Sequence, residues 1–595
     1  MPYKAPVPDI AFWLQTVAGL DAAMAAGLHP DLTPDLVAAV LTEAGRFADE
    51  AIAPLDRIGD TVGARLENGR VRMPEGWADV YRRWIDGGWN ALSGPVAHGG
   101  QGLPISLYAA VLEMWNGANL SFATGPMLTH GACVALEAYG TDAQKALYLE
   151  KLVSGAWTGT MNLTEPQAGS DLGALRTRAE PAGDGSYRIT GQKIYITYGD
   201  HDLTDNIVHM VLARLPDAPV GTRGISLFLV PKRLVSADGT PGALNDITVA
   251  GVEHKLGLHG SPTCTLSYGD SGGAVGWLVG EPNRGLAAMF TMMNSARLSV
   301  AVQGVGVAER ATQRAVAYAL ERRQGRAPGY DGEGMSPIAL HPDVKRMLLT
   351  MRAMTDAARA LCFALADAID RAGTGAEADR ALAADRAALL TPVAKAFATD
   401  VGMEVASLGI QVHGGMGFIE ETGAAQHLRD SRVLPIYEGT NGIQAIDLVT
   451  RKLPLGGGDA LRAYVAELRT VVEDARALRD PEAAALADRV GTALDDLVFA
   501  AAWLGRALGD GRQTDALAGA TAFLRLFGLG AGGAYHLKAV VADATAGTAT
   551  PAATRRRLAA RFFATDILPA TGGLRAAVTA GAAVVDALTP DLLTA

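Results

Sequence analysis

Cysteine is scarce in this chain: Cys133, Cys264 and Cys362 are the three present, too far apart for a disulfide framework or a CxxC metal site. A reducing, cytoplasmic setting without a bound metal is expected. Long charge-free apolar runs are missing too, and Met1-Pro2-Tyr3-Lys4-Ala5-Pro6 is no basic-then-apolar leader, so no membrane partner is expected. Basic excess is also lacking. The formal net charge of -11 argues against nucleic acid as a partner. Charged residues are 19% of the chain against 49% hydrophobic, which excludes a disordered polyelectrolyte and favours a compact, helix-leaning protein.

What is present is periodicity broken by turn residues, over a length that suggests about three to five folding units. From Pro34 the apolar spacing is helical, as in Leu36, Val37, Val40, Leu41 and Ala44, with a glycine-rich break at His98-Gly99-Gly100-Gln101-Gly102. After Thr158 the runs become β-branched and aromatic: Tyr187 to Thr190, Lys193 to Thr197, Ile207 to Leu212 and Ile225 to Val230. Helical periodicity returns at Gly285 and lasts to about Lys452, after which Pro454-Leu455-Gly456-Gly457-Gly458 reads as a linker to Ala-rich amphipathic segments. The expected fold class is mainly α with a central β domain. Residues 1–158 form an N-terminal helical domain, 159–283 a β domain, 284–453 a helical bundle and 454–595 a separate C-terminal helical domain.

Chemistry is placed at Leu434-Pro435-Ile436-Tyr437-Glu438-Gly439-Thr440-Asn441. Leu434, Ile436 and Tyr437 desolvate a carboxylate and raise its pKa, and the helix start at Thr440 aims backbone amides at a ligand. Glu438 then serves as a base for a carbon acid, although the segment alone also fits a turn carboxylate ahead of an ordinary N-cap. Other stretches carry similar double readings. Met161 to Asp171 runs from a strand into a turn that offers amides and hydroxyls to a polar-edged ring, or is a well-capped loop. Tyr195 and Thr197 share a strand face, either to pack and bond a ring or as half of a plain strand. Arg322 ends a helix in Glu321-Arg322-Arg323-Gln324-Gly325, where its planar fork suits a pyrophosphate or simply water. Gln411-Val412-His413-Gly414-Gly415-Met416-Gly417-Phe418 allows close backbone approach, or is a tight interhelical turn. Arg297, in an apolar helix, needs an anionic partner if buried.

Taken in their order along the chain, over roughly residues 40 to 453, these motifs resemble those of the acyl-CoA dehydrogenase family. The resemblance implies a helical domain, a β domain and a four-helix bundle, with FAD as cofactor and an acyl-CoA thioester oxidised to its trans-2-enoyl form. By the Tyr437-Glu438-Gly439-Thr440 match, Glu438 is the catalytic base. By the Thr164-Glu165-Pro166-Gln167-Ala168-Gly169-Ser170-Asp171 match, Leu163 and Thr164 lie against the flavin and Ser170 near pyrophosphate or substrate. Tyr195, where members commonly have Trp, is assigned to the flavin together with Thr197. Arg322 and Gln324 match an Arg-Lys-x-Phe-Gly element whose Phe is missing here. Gln411, Gly414 and Gly415 match an element that meets the FAD of a neighbouring subunit, implying a homo-oligomer, at least a dimer. Thr440 and Asn441 complete the cofactor set. Ser170, Asn294, Arg297, Tyr437 and Gly439 form the substrate set, with Asn294 replacing an acidic residue of many members. Electron-transferring flavoprotein is the implied acceptor, and the roughly 140 residues beyond Lys452 look like the extra domain of the long subgroups. Short, medium, thioether-bearing (3-methylthiopropionyl) and aromatic acyl groups all suit an apolar pocket.

Two alternatives compete. Gly269-Asp270-Ser271-Gly272-Gly273 copies the nucleophile loop of chymotrypsin-like serine hydrolases, in the wrong helical context. Arg555-Arg556-Arg557 and Arg561 suggest a DNA-associated flavoprotein of the same superfamily without this turnover.

Overall fold

Thr33 starts the first long helix: its Oγ1 accepts from the Leu36 N–H at 3.2 Å, and Pro34 suits the first turn of α1 (Pro34–Phe47). Two helices buried on nearly every side follow, α2 (Ile105–Ala118) and α3 (Leu120–Tyr139). Asn119 separates them and caps the second through the Phe122 N–H at 3.1 Å. The burial has a topological cause, since α2 lies between α1 and the later bundle while α3 backs the sheet. The computed structural model describes residues 3–594; Met1, Pro2 and Ala595, which fall in the first and last expected domains, lie outside the described residues.

Strands β1 (Thr158–Asn162), β2 (Arg178–Pro181), β3 (Tyr187–Thr197), β4 (Ile207–Ala213), β5 (Ser226–Pro231), β6 (Ile247–Val252), β7 (Thr263–Tyr268) and β8 (Ala274–Val279) form an eight-stranded sheet. Its order is β6-β7-β3-β8-β5-β4-β1, with β2 also pairing with β3, and β1 runs parallel to β4. Val208, Met210 and Leu212 of β4 pack with Leu128, Ala132 and Leu136 of α3, whereas Val211 and Ala213 join Ile189, Phe228 and Leu266 on the other face. Burial of both faces explains the largely apolar runs of β4, broken by His209, and β5. Strand β3 is distorted twice. At Gly191, φ is +151° and a Cβ would lie 2.6 Å from Thr177 Oγ1, so glycine is required. Further on, Ile194 and Tyr195 together oppose Thr265 in a β-bulge, with Tyr195 at φ +59°.

The bundle comprises α4 (Gly285–Glu321), α5 (Pro342–Gly373), α6 (Glu377–His413) and the short α7 (Asn441–Asp447). Gly304 of α4 rests on the α6 backbone, where a Cβ would come 2.3 Å from Ala398 O. The rings of Tyr318 and His413 stack with centroids 4.4 Å apart, so α4 and α6 finish at the same end.

After Lys452 the Leu455–Gly458 segment is a tight turn with Gly456 and Gly457 left-handed, rather than an extended tether. It leads into α8 (Asp459–Ala477), α9 (Pro481–Gly509) and α10 (Ala520–Thr545). Glycines bring α10 onto the bundle: a Cβ at Gly528 would lie 2.3 Å from the Phe397 ring, and at Gly532 2.8 Å from Ala357 Cβ. The C-terminal helices therefore share one apolar core with the bundle. Among the described residues no helix is long and apolar enough to cross a membrane.

Candidate active site

A cleft of about 570 Å³ opens between the sheet, the first turns of α4 and the segment that leads into α7. Glu438 lines it from a left-handed elbow, with φ +56° at Glu438 and +87° at Gly439. Thr440 ends the elbow by capping α7, its Oγ1 accepting from the Ile443 N–H at 3.2 Å. Gln444 Nε2 donates to the Glu438 and Gly439 carbonyls at 3.3 and 3.4 Å, and a Cβ on Gly439 would lie 2.6 Å from that nitrogen. A strained carboxylate-bearing residue is thus held in place by its surroundings. Burial pushes the Glu438 carboxyl up to about 7, against the opposing pull of the Arg297 and Lys395 charges. Beside it, Tyr437 Oη donates to Gln303 Oε1, and Gln303 Nε2 donates to Thr124 Oγ1 at 3.0 Å.

Arg297 is buried in the same wall. Its Nη1 donates to Asn294 Oδ1 at 3.3 Å, and its buried Nε has no partner among the described residues. Burial lowers its pKa, with the Asp447 and Glu438 charges opposing. Asn294 itself is exposed and reaches the cleft only through this contact.

Leu163, Thr164, Ser170, Tyr195 and Thr197 also line the cleft. The loop between Thr164 and Thr177 is built on Glu165, which accepts from Lys193 Nζ at 2.8 Å, Thr177 Oγ1 at 2.6 Å and the Arg176 N–H at 2.6 Å. Burial alone would raise Glu165, but the Lys193 charge and these hydrogen bonds hold it down at about 2. Lys193 Nζ also donates to Leu163 O at 2.9 Å, tying the loop to β3. Tyr195, at the bulge, is 62% exposed although it lines the cleft, which leaves much of its ring free.

Other sequence-expected residues lie elsewhere. Arg322, Gln324, Gln411, Gly414 and Gly415 are exposed at the bundle end marked by the Tyr318–His413 stack, outside the cleft. Phe418 beside them is 85% exposed. Asn441, expected to contact cofactor, is turned into the bundle instead: its Nδ2 donates to Asp400 Oδ1 at 2.8 Å and Thr399 Oγ1 at 3.0 Å, and its Oδ1 accepts from Lys395 Nζ at 3.0 Å. Its amide is used up by α6. Lys395, Lys193, Gln303 and Gln444 were not singled out by sequence reasoning. Lys395 had one available signal, as the single charge in the run Leu389 to Thr399.

The competing motifs find structural employment. Ser271 sits on the exposed turn between β7 and β8, its N–H donating to Asp246 Oδ2 at 2.8 Å. In the basic run, Arg555 pairs with Asp9, Arg556 with Asp543, Arg557 with Asp480 and Glu482, and Arg561 with Glu482, so internal carboxylates answer each charge.

The chain matches the models of the acyl-CoA dehydrogenase N-terminal domain over residues 37–156, middle domain over 160–271 and C-terminal domain over 283–453, and of an acetyl-CoA dehydrogenase C-terminal-like domain over 464–589. It is 49% identical to a 3-methylmercaptopropionyl-CoA dehydrogenase of Ruegeria pomeroyi, across 91% of this chain and 92% of that one. A butyryl-CoA dehydrogenase of Syntrophomonas wolfei is 35% identical over 77% of each chain. Among solved structures, ACDH-11 of Caenorhabditis elegans in complex with C11-CoA shares the fold, with TM-score 0.76 and 22% identity over 95% of this chain and 92% of that one. The chain belongs to the acyl-CoA dehydrogenase family.

Proposed function

We propose that Glu438 removes the α proton of an acyl-CoA thioester in an FAD-dependent oxidation to the trans-2-enoyl form, with 3-methylthiopropionyl-CoA as the preferred substrate. The observation that carries this reading is the elbow, which sets a carboxylate of near-neutral proton affinity in the wall of a cleft. The thioether substrate rests on the Ruegeria relative, similar over nearly the whole chain.

The residues present fit FAD. Tyr195 offers a free ring and Thr197 a hydroxyl, while the backbone at Gly414 and Gly415 has open space where a Cβ would stand. Leu163, Thr164, Ser170, Tyr195, Thr197 and Thr440 would hold it from the cleft, and Arg322, Gln324, Gln411, Gly414 and Gly415 from the bundle end. When bound, FAD supplies the acceptor for the hydride leaving the β carbon. Because these two groups of residues lie apart on one protomer, we assign a homodimer in which the bundle end of one copy completes the cleft of the other. The exposed Phe418 supports that assignment.

Substrate handling falls to Ser170, Asn294, Arg297, Tyr437 and Gly439. The Glu438 N–H has no backbone acceptor among the described residues and is free to donate to the thioester carbonyl, where negative charge grows as the α proton leaves. The Arg297 charge favours the ionised base. Electron-transferring flavoprotein is the assigned acceptor. The buried free thiols of Cys133, Cys264 and Cys362 suit a cytoplasmic setting.

The test is anaerobic bleaching of the FAD-loaded protein by 3-methylthiopropionyl-CoA, butyryl-CoA and 3-phenylpropionyl-CoA. Fastest bleaching by the thioether is expected. Faster bleaching by another thioester removes the substrate assignment, and no bleaching by any of them removes the dehydrogenase reading.

A further inference from the structure

Lys395 lies fully buried in α6, its Nζ donating to Gly439 O at 2.8 Å and Asn441 Oδ1 at 3.0 Å. Both acceptors are neutral. A buried ammonium costs desolvation free energy, and a side-chain amide would bracket a carbonyl without that cost. The charge itself therefore calls for a function.

The charges that face Lys395 are Glu438 from the elbow, Asp400 further along α6 and Arg297 from α4. Asp400 is already engaged, accepting from Asn441 Nδ2 at 2.8 Å and lying near Arg525 of α10 and Glu404. Arg297 is shared between Asp447 and Glu438, with Arg451 nearby. Glu438 is opposed in its burial by the Arg297 and Lys395 charges alone. Lys395 thus grips the carbonyl next to the base and supplies part of the positive field on it.

Resting on the dehydrogenase reading above, we propose that Lys395 is the positioning residue for the base: its ammonium clamps the Gly439 carbonyl to hold the elbow, and its charge keeps Glu438 ionised. Burial pushes Lys395 down to about 7 against the pull of Glu438 and Asp400, and burial brings Glu438 up to about 7, so both groups change protonation over the same pH range. The sign is fixed. Removing the ammonium charge removes a force that lowers the Glu438 pKa, so the midpoint of Glu438 ionisation moves to higher pH.

Three variants separate the clamp from the charge. Lys395→Gln keeps a donor for Gly439 O without charge, Lys395→Met removes both, and Lys395→Arg restores a charge. The readouts are the protonated-carboxyl infrared band of Glu438 against pH in FAD-loaded protein, identified by its loss in Glu438→Gln, and the acidic limb of kcat/KM. An upward midpoint shift of about one pH unit or more is expected in Lys395→Gln and Lys395→Met, with return toward wild type in Lys395→Arg. An unmoved midpoint in an uncharged variant that retains the flavin spectrum overturns the proposal. If neither uncharged variant folds, Asn441→Ser, which takes the second acceptor from the ammonium, must shift the same midpoint, and no shift there overturns it equally. The infrared titration needs no turnover, so failure of the dehydrogenase reading shows separately, as absent bleaching.

Discussion

Non-glycine residues in the left-handed region store backbone strain of about 1–3 kcal/mol and stay there only where neighbours impose it. For Glu438 those neighbours are the Thr440 cap, the Gln444 amide on two carbonyls and the Lys395 clamp. Glu438→Gln is expected to keep FAD and lose about 10²–10⁴-fold or more in kcat, read by steady-state kinetics beside the flavin spectrum. Its stability should change in the opposite sense. The folded-state pKa is raised from 4.5 to about 7, so the native state binds this proton more tightly than the unfolded chain. Wild type therefore loses stability as pH climbs through that window, fully so above it and not at all below. The neutral amide escapes this loss, and Glu438→Gln should melt higher at pH 8 by the equivalent of about 1–3 kcal/mol and level with wild type near pH 4. Equal melting at both pH values would contradict the raised pKa. Glu438 and Arg297 stood out in the sequence because each sets a charge in an apolar stretch, whereas Tyr195 was picked by strand alternation and the family match. Lys395 was not singled out, since its acceptors lie 44 and 46 residues away and only the packing of α7 on α6 brings them together. Asn441 shows the same limit: the residue lies beside a cap, and only the fold reveals that its side-chain amide bonds to α6.

At the scale of elements, β3 brings another left-handed residue to the cleft. Period-two reasoning set Tyr195 and Thr197 on one face, and both line the cleft, but a bulge intervenes and turns Tyr195 to φ +59°. Tyr195→Gly is expected to leave stability unchanged or raise it by about 1 kcal/mol, because glycine adopts that φ freely and the ring is mostly exposed. FAD retention on gel filtration should nevertheless fall. Full flavin occupancy in this variant would remove Tyr195 from the cofactor set. The buried runs of β4 and β5, the start of α1 at Pro34 and the start of α7 at Thr440 were readable because helix starts and apolar runs are local signals. The bulge was not, since register belongs to the pair β3–β7 and no single strand encodes it.

Over the whole molecule, the glycines of α10 decide how the C-terminal helices relate to the Glu438 elbow. The Pro454–Gly458 linker suggested independence, whereas Gly528 and Gly532 let α10 settle against Phe397 and Ala357, a close approach that composition does not reveal. From α10, Arg525 donates to Glu404 at 2.8 Å and lies near Asp400, which holds Asn441, which in turn holds Lys395. A displacement of α10 should therefore reach Glu438. Gly528→Val forces a side chain into the Phe397 ring, and overpacking of this kind costs about 1–3 kcal/mol. Lower thermal stability is expected together with reduced kcat at little-changed KM, while Val584→Ser on the exposed C-terminal segment should alter neither. Because the C-terminal helices share one apolar core with the bundle, far-ultraviolet circular dichroism should show no separate early loss of them in denaturant. Two separated transitions, with kcat unchanged in Gly528→Val, would mean that the C-terminal helices fold apart from the bundle and leave the Glu438 elbow to α6 and α7 alone.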